Sequence, residues 1–204
     1  MGKNGSGKST LLRLLASQES PTEGIVLADL GSVGYCHQEN NLPSECTVSE
    51  LFDTFLAINE KGRSKREREA SKKHLLNEVG LLHHEKSYYG SLSVGMKRKC
   101  GLMIALIHSP QVLLLDEPMS GLDVEFQLEF WHILNRLKAR RSIIVVTHDI
   151  NQAIADRCVV LHQGRVLQIF SMSELKAKCS YYFRLQAKSK QDTIHCLRDN
   201  VSDI

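Results

Sequence analysis

The sequence predicts an α/β fold built around a parallel sheet, and three observations predict it. Residues 2–10, Gly-Lys-Asn-Gly-Ser-Gly-Lys-Ser-Thr, form a glycine-rich loop that runs straight into a leucine stripe, Leu11, Leu12, Leu14 and Leu15. Residues 111–115 and 142–147 are largely apolar runs, the first ending in Asp116-Glu117 and the second in His148-Asp149. Between these features, residues 47–107 carry apolar positions at helical spacing. Continuous apolar runs suit strands buried on both faces, the usual condition in parallel sheets. Ligands in open α/β sheets bind beyond the carboxyl ends of such strands.

The opening loop fits G-x-x-x-x-G-K-[ST], whose backbone N–H groups cradle nucleotide phosphates. Gly5 and Gly7 permit positive φ and a close approach of backbone to phosphate. A helix opening near Lys8 aims its unpaired N–H groups and positive dipole end at the anion. Lys8 can reach the β- and γ-phosphates, and the Ser9 hydroxyl suits Mg²⁺. A strand normally leads into this loop, yet only Met1 precedes it. The expectation is therefore an N-terminally truncated domain whose first strands are missing.

Composition narrows the classes. With 26 basic and 23 acidic residues, the net charge of +3 is too small to argue for nucleic acid by itself. The six cysteines are scattered without a C-x-x-C pair and read as reduced thiols. No polar-apolar signal pattern opens the chain, and the longest wholly apolar run, residues 102–107, falls far short of the roughly 18 residues that span a bilayer.

In chain order, Pro21-Thr22-Glu23-Gly24 reads as a turn, and residues 25–27 and 32–37 as strands, with Gln38 at the head of the polar loop that follows. Thr47-Val48-Ser49-Glu50 is a capping box, followed by a helix face of Val48, Leu51, Phe52, Phe55 and Leu56. Residues 61–73 hold seven basic and two acidic side chains and no aromatic, which reads as a solvated helix face. Leu75, Leu76 and Val79 continue a helical stripe. His83-His84-Glu85 lacks ligand spacing for a metal site.

Ser93 is placed to cap a helix whose stripe is Met96, Cys100, Met103 and Ile107, closed by Pro110. Asp116, at the end of an apolar strand in a chain with a phosphate loop, is the expected partner for Mg²⁺. Ser120-Gly121-Leu122-Asp123 turns into a helix bearing Phe130, Leu134 and Leu137, and His148 ends the next strand beside those acids. Residues 158–162 and 165–169 around Gln163-Gly164 read as a hairpin, and Ser171-Met172-Ser173-Glu174 as the cap of a last short helix. The tail from Tyr181 starts strand-like and ends weakly helical.

Residues 2–169 together resemble the nucleotide-binding domain of an ATP-binding-cassette (ABC) transporter. Six ordered motifs carry the resemblance: the phosphate loop, the Q-loop at Gln38, the signature at Leu92-Ser93-Val94-Gly95-Met96, the Asp116-Glu117 strand, the D-loop at 120–123 and the switch at His148. The Met-Lys-Arg-Lys after Gly95 and the tail around Tyr181-Tyr182-Phe183 resemble the A subfamily of lipid exporters. The resemblance implies a P-loop NTPase (RecA-like) parallel-sheet core in residues 1–170, with an inserted α-helical subdomain at about 45–108. Residues 171–204 would be a C-terminal extension with room to begin a regulatory domain.

The resemblance also implies roles. Gly2, Asn4, Gly5, Ser6, Gly7, Lys8, Ser9 and Thr10 would hold ATP, with Ser9, Gln38 and Asp116 serving Mg²⁺. Glu117 would polarise the attacking water, with Gln38 and His148 completing the catalytic set. Ser93, Gly95 and Asp123 would serve the ATP of a second nucleotide-binding domain in a head-to-tail sandwich. Transmembrane domains would be the other partners, nucleic acid would not, and the site of action would be the cytoplasmic face of a membrane. The competing expectation is a regulatory module or truncated fragment without turnover. Three departures from the family pattern stand out: Val94 replaces glycine, Met119 a small hydroxyl residue and Val124 proline. The segment between Gly24 and Gln38 is also short.

Overall fold

A computed structural model describes residues 1–26, 33–38, 41–59, 62, 64–147 and 155–174. The chain divides into two compact units, Met1–Lys8 with Ile154–Ile204, and Ser9–Ala153.

In the larger unit, β1 (Val33–Cys36), β2 (Val112–Asp116) and β3 (Ser142–Val146) form a parallel sheet in that order. Leu113, Leu114 and Leu115 are wholly buried, as the continuous run predicts. Their alternation sorts them to opposite faces. Leu113 and Leu115 join the main core, while Leu114 joins a smaller cluster with Leu12 of helix α1 (Lys8–Leu15) and Val146. Leu12 and Leu15 of the leucine stripe thus pack onto one sheet face, whereas Leu11 is 39% exposed.

The other face is covered by helices. α2 (Val48–Asn59) starts at the predicted capping box, with Thr47 N and Oγ1 both donating to Glu50 Oε2 at 2.8 Å. α3 (Lys65–Glu78) has a second capping box, Ser64 with Glu67. α4 (Val94–Leu106) starts at Ser93, whose hydroxyl accepts from Met96 N at 3.2 Å. α5 (Val124–Lys138) contributes Phe130, Trp131, Ile133, Leu134 and Leu137 to the core. Cys100 and Met103 of the predicted α4 stripe are fully buried, and burial pushes the Cys100 thiol up to about 12, so it stays protonated.

In the smaller unit, β4 (Arg157–His162) and β5 (Arg165–Ser171) form the expected antiparallel hairpin. Gln163 and Gly164 both have positive φ, 46° and 76°, the requirement of a tight two-residue turn. Met1 lines the free side of β4: its amino group donates to Val159 O at 2.5 Å and its carbonyl accepts from Leu161 N at 2.7 Å. The Ser171–Glu174 capping box is present, with Ser171 N to Glu174 Oε2 at 2.7 Å.

Several expectations need correction. Ile25 and Val26 form no strand and are 77% and 43% exposed, while Leu27 lies outside the described residues. An apolar triplet becomes a strand only beside a neighbour, and the described residues supply none. Ile144 is 40% exposed, so β3 is buried less completely than its sequence suggests. The basic run is not wholly solvated: Lys72 is 3% exposed and its ammonium reaches Asp53 at 3.0 Å, Glu69 at 2.9 Å and Ser49 Oγ at 2.8 Å. Burial pushes its pKa down, but hydrogen bonds to Glu69 and Asp53 outweigh that and leave it raised. The tail beyond Glu174 lies outside the described residues.

Gly34 marks the tightest helix-to-sheet contact. A Cβ there would sit 2.2 Å from Ala105 O of α4 and 2.8 Å from Pro110 Cγ. Gly34→Ala should therefore destabilise the chain by about 1–3 kcal/mol through overpacking. A urea titration reads this as a lower midpoint at unchanged slope.

Candidate functional site

The phosphate loop lies in the smaller unit. Gly5 and Gly7 have φ of 78° and 92°, the left-handed region that the sequence reading assigns to them. Gly2 has a different reason to be glycine: a Cβ would meet Leu161 O at 2.3 Å and Ser6 Oγ at 2.5 Å. Lys8 is 6% exposed and folds back over the loop, donating to Gly2 O at 2.8 Å and Lys3 O at 2.9 Å. Two of its three protons pin the loop, which leaves one for an anion. The hairpin turn supports the loop from outside, since Gly164 N donates to Ser6 O at 3.1 Å. The Ser6 hydroxyl is buried with no hydrogen-bond partner among the described residues. Lys3, Asn4 and Gly5 are exposed at the tip.

The acidic edge lies in the larger unit, with half-buried Ser9 and exposed Thr10 following Lys8 along α1. All three parallel strands end on one edge: Cys36 is in register with Leu115, and Asp116 with Val146. Gln38, exposed, follows β1; Glu117 follows β2; buried Thr147 follows β3. His148 lies outside the described residues.

Asp116 is 6% exposed. Its Oδ2 accepts from the Tyr35 hydroxyl at 3.4 Å, and its Oδ1 is buried with no hydrogen-bond partner among the described residues. Burial first, and the Asp116 charge second, push the Tyr35 phenol up to about 12, so it remains a donor. An unsatisfied, dehydrated carboxylate oxygen is expensive unless a cation or a bound water answers it. That donor chemistry fits magnesium.

Glu117 has φ of 45°, in the left-handed region, where a non-glycine residue is strained. Its N–H donates to Val146 O at 3.0 Å and its carbonyl accepts from Ser120 N at 3.1 Å, two bonds that hold the conformation. Such strain is characteristic of functional positions.

In the signature segment, Ser93 caps α4 and Val94 is 58% exposed. Gly95 is buried against α5, where a Cβ would lie 2.4 Å from Phe126 Cδ1. Asp123 caps α5, accepting from Phe126 N at 2.9 Å. Arg98 donates to Ser120 O at 3.4 Å, linking α4 to the turn before α5, and Lys99 pairs with Glu129 of α5 at 2.5 Å. Met119 is 6% exposed, and Val124 is 66% exposed at the start of α5. Sequence reasoning missed Tyr35. Its signal was an aromatic residue three positions before Gln38, on the strand beside the acidic one.

A glycine loop opening a helix, and acids at the carboxyl edge of parallel strands, define the class of P-loop nucleoside triphosphate-binding domains. The ABC transporter family pattern matches residues 1–120, and the chain belongs to that family, whose cassettes are ATP hydrolases.

The chain is 33% identical over 201 residues to ATP-binding cassette sub-family A member 9 of Mus musculus, covering 93% of this chain and 12% of that protein. It is 34% identical over 179 residues to the retinal-specific phospholipid-transporting ATPase ABCA4 of Homo sapiens, covering 81% of this chain and 8% of that one. The chain therefore spans a small fraction of the length of these relatives. The aliphatic sulfonates import ATP-binding protein SsuB of Burkholderia ambifaria is 38% identical over 176 residues, 81% of this chain and 52% of that protein. Among solved structures, a dimeric ATP-binding cassette in a post-hydrolysis state with ADP and Pi has a TM-score of 0.74 at 27% identity, over 84% of this chain and 83% of that one. The cassette cbiO1 of Clostridium perfringens, part of an ABC transporter complex, has a TM-score of 0.79 at 26% identity, over 98% of this chain and 85% of that one.

The strain at Glu117 is measurable. Glu117→Gly and Glu117→Gln both remove the carboxylate, but glycine alone relaxes the left-handed backbone. Glu117→Gly should be more stable than Glu117→Gln by about 1 kcal/mol. Equal denaturation midpoints for the two variants would contradict a strained residue.

Proposed function

We propose that this chain is the ATP-binding and ATP-hydrolysing domain of a transporter that exports lipid. The observation that carries hydrolysis is the Asp116-Glu117 pair, a buried carboxylate with one oxygen unpartnered among the described residues beside a carboxylate on strained backbone. The phospholipid-transporting relative and the sub-family A matches support lipid as cargo.

In this reading the N–H groups of residues 2–10 and the Lys8 ammonium bind the β- and γ-phosphates. Ser9, Gln38 and Asp116 would hold a magnesium ion, which would neutralise charge on the phosphate oxygens. Glu117 orients the attacking water and accepts its proton, and His148 contacts the γ-phosphate. Catalysis is then positioning plus charge stabilisation. Ser93, Gly95 and Asp123 serve the nucleotide of a second cassette in a head-to-tail sandwich, for which the dimeric cassettes among its structural relatives are the support. Residues 1–170 form the ATPase domain, with the helical insert at about 45–108, and 171–204 an extension. Among the described residues no helix is long and apolar enough to cross a membrane. The cassette is held at the cytoplasmic face through transmembrane partner domains.

Glu117→Gln should lower steady-state ATP hydrolysis by about 10²–10³, the scale for one preorganised group, while ATP binding persists. Unchanged phosphate release would remove Glu117 from the mechanism. Val94 adds an exposed branched side chain at the first turn of α4, where a partner's phosphate would approach. Val94→Gly should raise turnover about tenfold, equivalent to about 1.4 kcal/mol of relieved crowding, at unchanged ATP affinity of the monomer. A coupled phosphate-release assay over a range of protein concentrations reads this directly.

A further inference from the structure

We propose that Tyr35 is a positioning residue for the metal-serving carboxylate: its hydroxyl ties one oxygen of Asp116 and so presents the other to a divalent cation. This rests on the reading of Asp116 given above. β1 and β2 are parallel neighbours with Tyr35 in register with Leu114, so Tyr35, Leu114 and Asp116 share one sheet face. The Tyr35 ring packs against the Leu12, Leu114 and Val146 cluster, and the His37 ring meets it edge-on with centroids 4.2 Å apart. Its hydroxyl is thereby aimed along the strand at Asp116 Oδ2, 3.4 Å away.

The carboxylate is planar, so its two oxygens stand in a fixed relation to each other. Tying Oδ2 sets the direction of Oδ1, the buried oxygen that has no partner among the described residues. Phenylalanine at position 35 would keep the packing and lose only this tie. Outer-shell partners of metal ligands typically change metal affinity by about 10–100-fold when removed. The 3.4 Å separation places Tyr35 at the weak end of that range.

The test uses the full 204-residue chain with ATP bound and Mn²⁺ as the probe, titrated by electron paramagnetic resonance. ATP affinity is measured separately in EDTA. Tyr35→Phe should weaken Mn²⁺ binding about tenfold, leave metal-free ATP affinity unchanged, and recover hydrolysis when Mg²⁺ is raised. Asp116→Asn is the reference and should weaken Mn²⁺ binding more. If Asp116→Asn weakens Mn²⁺ binding and Tyr35→Phe matches the parent chain, the Tyr35 proposal falls and the reading of Asp116 stands. Loss of metal-free ATP affinity in Tyr35→Phe would make Tyr35 a packing residue and overturn the proposal. Unchanged Mn²⁺ binding in Asp116→Asn would overturn the reading of Asp116 and the proposal with it.

Discussion

The structure depends on a charge held out of water at the end of a strand buried on both faces. Leu113, Leu114 and Leu115 have no solvent exposure, and the next residue is an aspartate that is nearly as deeply buried. Two constraints meet at that junction. The leucines require cover on both faces, which α1 gives on one and the α4 and α5 cores give on the other. The aspartate requires something to answer its charge, because dehydrating an ionised carboxylate costs several kcal/mol unless it is paired. The packing that stabilises the sheet is therefore also what takes the carboxylate out of water.

The helical region meets the same problem with a different solution. Lys72 and Lys99 are both about as buried as Asp116, but each has its counter-charge within the chain, Lys72 among Asp53, Glu69 and Glu85 and Lys99 against Glu129. Breaking such a pair leaves an uncompensated charge, so these contacts fix how the helices seat against one another more than they add net stability. Lys99 and Arg98 tie α4 to α5 and to the turn before it, and Gly95 lets α4 approach the Phe126 ring closely. Gly95, Arg98 and Lys99 of α4 thus hold that helix to α5 and to the turn before it.

What was legible in the sequence follows the range of the interaction. The boxes at Thr47 and Ser171 close within four residues, and both are present because nothing distant has to cooperate. The hairpin at Gln163-Gly164 and the both-face burial of β2 were legible for a related reason: turn chemistry and continuous apolarity are local statements about φ and solvent. The Tyr35 to Asp116 contact spans 81 positions and leaves no local trace beyond an aromatic residue in a short strand. Lys72 was read with its neighbours as solvated, because only its pairing with Glu69 is local; Asp53 and Glu85 are brought by other segments. Ile25 and Val26 failed in the opposite sense, since a β-prone composition forms a strand only beside a partner, and no strand among the described residues pairs with them. At two motif glycines the structural reason for the residue type lies in packing that the sequence does not show. Gly95 is small because Phe126 lies against it, and Gly2 because the β4 backbone does.

The two uncompensated features of the sheet sit on consecutive residues. Asp116 carries a buried oxygen with no partner among the described residues, and Glu117 carries a backbone conformation that costs about 1–2 kcal/mol for an L-residue. Neither is relieved by its surroundings; the bonds from Glu117 to Val146 and Ser120 hold the strain in place. Unfavourable terms gathered on one dipeptide, at the edge where three parallel strands end, are the signature of a site whose favourable terms arrive with a ligand. A cation would answer the oxygen of Asp116, while the backbone strain at Glu117 would persist through binding as fixed geometry. In the function proposed above, the first feature would contribute to affinity and the second to orientation. A group already locked in place before the ligand arrives has no reorganisation to undergo as the reaction proceeds.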